Sequence, residues 1–453
     1  TYNPPYNRHI FDKDFSFLDY STHVSMPTGV IFVPDDYKKI QWAVDNASAG
    51  DTIIVRDGIY YENVVVDKAL TIRSENGSDN CIVDGGGSGD VITLNANGIT
   101  IEGLTVRNSS SSWPYAAGIK VFSNANKIAY NCITSNLYYG IYLDYSSNNI
   151  IVNNIVSNNG DGIYLEDSSR NTIADNIISN NALGIGLDDS SSNIIANNTI
   201  SNNGNGIHLD SSFDSSSNNI ITNNNVSNNG GGIYLYESSS NTIANNNVSS
   251  NKWNGIYLWE SSSNIMVNNT VSNNWVGIYL DDYSNNNIIA NNTISSNNLY
   301  GIFLYPSSSN IITNNTISNN NIGIRFWDSS RNTIYLNNFI NNRDQIVSSY
   351  STNIWNSTEK MTYTYDGTQY TNYLGNYWSD YKGSDTDGDG IGDTPYSIDG
   401  DKDYYPLMEP WENYFKPAEN QPPYKPFNPS PPDGATDVDI DVELRWSGGD
   451  PDG

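Results

Sequence analysis

The strongest chemical signal in the chain is an acidic run from Asp385 to Asp393. Asp385, Asp387 and Asp389 alternate with Thr386 and Gly388, and Gly390, Ile391, Gly392 and Asp393 follow. Carboxylates at the first, third and fifth places, a glycine at the sixth, a carbonyl at the seventh and an acid at the ninth supply the hard oxygen donors of a calcium loop. Asp385, Asp387, Asp389, the Ile391 carbonyl and Asp393 are therefore the expected ligands of a structural Ca2+. The twelfth place holds Tyr396 instead of a bidentate Glu, so Asp399, Asp401 or Asp403 is expected to complete the shell. The competing reading is a solvated acidic turn.

A second set of acids lies upstream, where Asp144, Glu166, Asp188 and Asp210 recur every 22 residues. Stacked at the roughly 4.8 Å spacing of neighbouring strands, such carboxylates repel by about 1 kcal/mol in water, which invites a cation or a raised pKa. His208 and Asp189 stand beside them, close to a four-residue insertion around 213–216. Two carboxylates on one strand face are what glycoside hydrolysis uses. If the chain is an enzyme, Asp188, Asp210 and His208 are its catalytic candidates.

These residues are placed by a repeat paced by glycines at 118, 140, 162, 184, 206, 232, 255, 277, 301 and 323, with steps of 22 to 26 residues. A period of that length marks a solenoid, propeller or array. The word is Gly-Ile-x-Leu, as in Gly140-Ile141-Tyr142-Leu143. Ile and Leu, one and three residues after the glycine, share a face, and further apolar residues fall at +11 and +16, as at Ile151 and Val156. This predicts three short strands per coil with apolar side chains pointing inward. Asn recurs at +9 (Asn149, Asn171) and +14 (Asn154, Asn176), where stacked amides are expected to bond from coil to coil. Asn also tolerates the left-handed backbone of sharp corners. Cys132 falls at +14 from Gly118 and is expected to begin that column.

The outward positions vary. At +2 stand Tyr142, Tyr164, Gly186, His208, Tyr234, Tyr257, Tyr279, Phe303 and Arg325. At +4 the acids give way to Tyr236, Trp259, Asp281, Tyr305 and Trp327. One face should therefore carry an aromatic stripe, acidic in its first half, with a gap at Gly186. Tyr142, Tyr164, Tyr234, Tyr236, Tyr257, Trp259, Tyr279, Phe303, Tyr305 and Trp327 form the expected glycan or partner surface. The alternative is that the rings only stack between coils, where cross-strand pairs contribute about 0.2–1 kcal/mol each.

Ahead of the repeat, a helical pattern spans 34–49 and short strands are expected at Thr52–Val55, Val64–Val66 and Leu70–Ile72. Lys39-Ile40-Gln41-Trp42-Ala43-Val44, Gly58-Ile59-Tyr60-Tyr61-Glu62-Asn63-Val64 and Ala69-Leu70-Thr71-Ile72 resemble the opening coil of right-handed parallel β-helix proteins, the NosD-like surface proteins and pectin-active enzymes among them. The resemblance covers about residues 34–347. It implies an all-β right-handed parallel β-helix whose N-terminal helix caps the open end, which would otherwise be a template for pairing. The tail, with Leu374–Tyr381 and the acidic loop, resembles the ending of archaeal NosD-like proteins. No catalytic signature of polygalacturonases, pectin methylesterases or pectate lyases is present. Nor do three His and four Met form the ligand cluster that copper handling would need.

The organisation expected is an aromatic N-terminal arm (1–33), the β-helix (34–349), a C-terminal cap with the calcium loop (350–415), a Pro-rich linker (416–432) and the start of an Ig-like domain (433–453). Lys and Arg total 21 against 50 acids, a net charge of -29, which disfavours nucleic acid and anionic membranes. No apolar run is long enough to span a bilayer. No leader is visible, and a start at Thr1 fits a mature form or an excised piece. Cys81 and Cys132 are expected as two buried thiols. Asn-x-Thr matches at Asn197 and Asn291 follow from the Asn-Asn-Thr turns. These readings together favour an extracellular structural or adhesive protein, a subunit of a surface layer, sheath or filament, self-associating or bound to surface neighbours or polysaccharide. A polysaccharide-degrading enzyme is the rival.

Overall fold

The computed structural model describes residues 29–110, 115–211 and 216–415, with parts of 427–447. The N-terminal arm up to residue 28 and most of the insertion after Asp210 lie outside the described residues, as does nearly all of the expected linker and Ig-like segment. A short antiparallel pair, Phe427–Ser430 with Arg445–Ser447, is described there.

Three parallel sheets build a β-solenoid, with 13 strands in the sheet of Gly-Ile-x-Leu words and 14 in each of the other two. One coil runs Tyr139–Asp144, Ile150–Val152 and Ile155–Ser157, and each strand pairs with its equivalent a coil later. Register is strict: Ile141 faces Ile163 and Leu143 faces Leu165. The four inward positions read from the sequence, such as Ile141, Leu143, Ile151 and Val156, are fully buried. Among the described residues no helix is long and apolar enough to cross a membrane.

The glycine that paces the repeat is required by space. A Cβ at Gly140 would lie 2.6 Å from the Gly162 carbonyl oxygen and 2.9 Å from Asn159 Nδ2. The corners divide labour within each Asn doublet. Asn148, Asn153 and Asn158 take left-handed φ of 56–59°, and the next residues, Asn149, Asn154 and Asn159, are buried in ladders. Asn149 donates from its backbone N–H and its Nδ2 to Asn171 Oδ1 at 2.8 and 3.1 Å, and the pattern repeats coil after coil. A third Asn ladder, Asn136 through Asn342, and a Ser column from Ser146 were not read from the sequence.

Several boundaries differ from expectation. Val30–Val33 already pairs with Thr52–Val55, inside the segment assigned to the arm. The helix covers only Ile40–Asn46, where the Glu62 carboxylate accepts the Ile40 and Gln41 N–H groups at 3.0 and 3.1 Å. The coil also continues past 349, because Tyr377–Trp378 pairs with the strand Asn338–Ile340. Trp378 stacks on Phe339 at 4.4 Å and on Tyr396 at 4.2 Å. Cys132 does not begin an Asn ladder. The coil after Gly118 is one residue shorter before its corner, so Asn131 takes that place. Cys132 starts the following strand, half-buried, while Cys81 is fully buried and its thiol is pushed up to about 12 by burial.

Candidate functional site

The outward face of the Gly-Ile-x-Leu sheet carries its side chains at +2 and +4 because strand alternation sends +1 and +3 inward. Rings at +2 cover one another. Tyr142 and Tyr234 are only 7% and 9% exposed, and Tyr164, Tyr257, Tyr279 and Phe303 are half-buried. Tyr279 stacks on Phe303 at 4.6 Å and Tyr234 meets Tyr257 at 5.1 Å. The +2 column is thus packed largely against itself. Solvent access rises along +4, where Tyr236 and Trp259 are half-buried while Tyr305 and Trp327 are each 43% exposed. Trp327 leads on to Tyr350 at 6.0 Å.

Hydroxyl–carboxylate pairs tie the columns together. Tyr142 donates to Glu166, and Tyr257 donates to Asp281 at 2.8 Å. Burial first, then these acids, push both phenols above their ordinary range. Burial, reinforced by the Glu166 charge, also raises Asp144. At Asp144 the shift has the direction expected of stacked acids, with burial the larger cause.

Gly186 does not open a gap. The Tyr164 ring lies over it, and a Cβ there would come within 2.6 Å of the ring. What changes at this point is the aromatic path. Tyr139, Tyr142 and Tyr164 form one cluster, and a second begins at His208, whose ring lies 5.2 Å from Tyr236 and 6.4 Å from Tyr234. Asp188 and Asp210 are register partners in adjacent strands, and so are Gly186 and His208. The structure thus brings all three catalytic candidates to one place. His208 Nε2 is buried without a hydrogen-bond partner among the described residues. Burial lowers its pKa, against the opposing charge of Asp210, so the ring is neutral at pH 7.

In the acidic loop, one oxygen each of Asp385, Asp387 and Asp389 lies within 4.8 Å of the others. Asp385 also accepts the Gly388 and Gly390 N–H groups at 2.8 Å. Gly390 has φ of 86°, as a tight turn requires. Burial raises Asp389, and the neighbouring Asp387 and Asp385 charges add to this while the Ile391 N–H opposes it. Asp393 turns to Thr386, accepting its N–H at 2.9 Å and its hydroxyl at 2.6 Å. Ile391 is buried against Leu407.

Asp399, Asp401 and Asp403 are not part of that cluster. They reach the end of the solenoid instead, accepting from Ser348, Asn353 and Asn376 respectively.

Two surface features escaped the sequence reading. Trp253 and Trp275, 53% and 46% exposed, sit at a corner just before the glycine and bond backbone to backbone at 2.8 Å. Asp167, Asp189, Glu237, Glu260, Asp282 and Asp328 form an acidic left-handed corner at +5. Both columns were legible by the same count from glycine that revealed +2 and +4.

The family described as "Right handed beta helix region" matches residues 52–212 and 90–248, and "Periplasmic copper-binding protein (NosD)" matches 210–383. A probable ABC transporter binding protein NosD of Pseudomonas aeruginosa is 45% identical over 51 residues, a match that spans 11% of either chain. Among solved structures, the A-module of a mannuronan C-5 epimerase of Azotobacter vinelandii covers 70% of this chain and 96% of its own at 17% identity, with a TM-score of 0.53. An alginate lyase bound to a trisaccharide covers 76% of this chain and 91% of its own at 13% identity and a TM-score of 0.55. These structural likenesses establish the fold.

Proposed function

We infer that this chain, whose family matches support a NosD-like right-handed β-helix, acts outside the cytoplasm as a structural or adhesive surface protein that grips polysaccharide. The observation that carries the reading is the aromatic and acidic band on one sheet, which opens to solvent towards Tyr305 and Trp327. Tyr and Trp combine a large apolar face with a polar edge and suit surfaces that are half wet. Cations on this band are few: Lys120 is buried over Tyr142, and Arg325 packs on Trp327. The acids therefore select against an unscreened polyuronate, and a neutral glycan is the favoured ligand. The periplasmic description of the NosD family supports a place outside the cytoplasm. A glycan array with neutral and uronate polymers tests this. Binding of neutral chains without turnover, lost in Trp259→Ala with Trp327→Ala, is expected. Absence of binding to every polymer ends the reading.

The second reading is a polysaccharide-modifying enzyme. It is favoured by the neutral His208, whose Nε2 has no hydrogen-bond partner among the described residues, and by Asp188 and Asp210 beside it. A neutral imidazole can take a proton, and a paired carboxylate can share the acid role. Turnover abolished in His208→Gln and Asp210→Asn would favour it over binding alone.

The loop 385–393 fits a structural Ca2+, held by Asp385, Asp387 and Asp389, which would supply positive charge where three carboxylates converge. Among the described residues His208 is the one histidine, Cys81 is buried in the core, and the convergent group of His, Cys and acidic side chains is Asp385, Asp387 and Asp389, whose hard oxygens suit calcium better than copper.

A further inference from the structure

The amide ladders have a direction. In each rung, the backbone N–H and, in most rungs, the side-chain Nδ2 donate to the Oδ1 of the next coil, never the reverse, so the last rung of each ladder presents its donors at the C-terminal end. Another Asn cannot end such a column, because its own amide passes a fresh pair of donors onward. An ionised carboxylate can end it, since it only accepts.

The chain places carboxylates at these ends. Asn376 is the last rung of its ladder, and Asp403 Oδ2 accepts its N–H at 2.8 Å and the Trp378 indole at 3.0 Å. The other oxygen accepts the Tyr405 N–H at 2.9 Å, so both face donors. Asn353 ends a second ladder, and Asp401 Oδ2 accepts its N–H at 2.9 Å together with the Trp355 indole at 3.2 Å, while Asn353 Nδ2 is buried without a partner among the described residues. The third ladder passes from Asn342 to Gln345, whose Nε2 reaches Ser379 at 3.1 Å and Asp380 at 3.4 Å. Asp399 accepts the Ser348 N–H at 3.1 Å from the last strand of the Gly-Ile-x-Leu sheet. Tyr396–Ile398 and Asp401–Asp403 form the antiparallel hairpin that carries three of these acids across the open end. An Asp at every second position fits that placement.

We propose that this hairpin is a closure clasp: Asp401 and Asp403 take up the terminal N–H donors of two of the three amide ladders, and with Asp399 they keep the C-terminal edge from pairing with a second copy. An exposed parallel edge with unpaired donors is a template for another chain. Aligned amides polarise one another along a ladder, which sharpens the need for an acceptor at its donor end.

Hydrogen exchange read by mass spectrometry on the full chain tests the clasp, with sedimentation run in parallel. Asp403→Asn puts an amide NH2 against donors. Asp401→Ala, at a partly exposed position, is the milder variant. Losing a hydrogen bond to a charged group is expected to speed exchange in 332–378 by about ten- to a hundredfold, with Thr52–Asp210 unchanged. Concentration-dependent association should accompany it. Lys402→Ala, on an exposed side chain of the same hairpin, should do neither. Unchanged exchange, or acceleration spread evenly over all coils, overturns the terminator role. Faster exchange at the end with a monomer at every concentration overturns the role in preventing pairing.

Discussion

Inward and outward positions of the same strands obey different rules. Ile141 and Leu143 recur almost unchanged along the solenoid and are fully buried, whereas Tyr142 and Asp144 belong to columns that change character halfway. A parallel stack imposes the same pocket on every inward residue, so repetition inside records packing alone. An outward residue answers to its neighbours one coil away and to solvent. Variation there, such as the break between the Tyr164 and His208 clusters, is where a ligand can be specified.

A change at an inward ladder position should have the largest effect. Asn246 accepts from Asn224 and donates to Asn269 Oδ1 and the Ile221 carbonyl. Asn246→Ala orphans several buried groups at once, and a stability loss of about 3–5 kcal/mol is expected, measured by chemical denaturation. An outward change such as Tyr305→Ala should leave the midpoint almost in place. Equal losses from both would erase the distinction.

Acid titration gives the next effect. Burial pushes Asp403 up to about 6, against the hydrogen bonds from Tyr405, Asn376 and Trp378. Unfolded, an Asp titrates near 3.9, so the folded chain holds this proton more tightly between those values. The resulting stability is full below about pH 4 and is lost as pH rises through about 6, roughly 3 kcal/mol in all. Asp403→Asn should flatten that window in a series of unfolding curves. A wild-type slope of opposite sign there would contradict the assignment to Asp403.

Calcium should come next. At a hundredfold excess over its dissociation constant it is expected to add about 2.7 kcal/mol, read as a raised melting temperature that EDTA reverses and Asp387→Asn removes. A melting temperature indifferent to calcium would leave the loop a solvated turn. Smaller still is the outward aromatic term. Trp327→Ala should weaken glycan binding by about 1–2 kcal/mol, seen by calorimetry, with stability nearly unchanged.

By itself the sequence determined the coil. Period, inward columns and two of the three Asn ladders were legible because identical environments repeat at a fixed count, whereas the division of each doublet into a left-handed corner residue and a ladder residue was not. Spacing also marked Asp385, Asp387 and Asp389 as convergent. Tertiary structure alone decided what one coil does to the next: that Tyr164 covers Gly186, that Tyr142 is buried by its neighbours, and that one missing residue hands the ladder to Asn131 instead of Cys132. It also assigned Asp399, Asp401 and Asp403, which read in one dimension as further calcium ligands. They lie close to the loop in sequence, but hydrogen bonding acts through space, and the donors that need them belong to Ser348, Asn353 and Asn376 at the end of the stack.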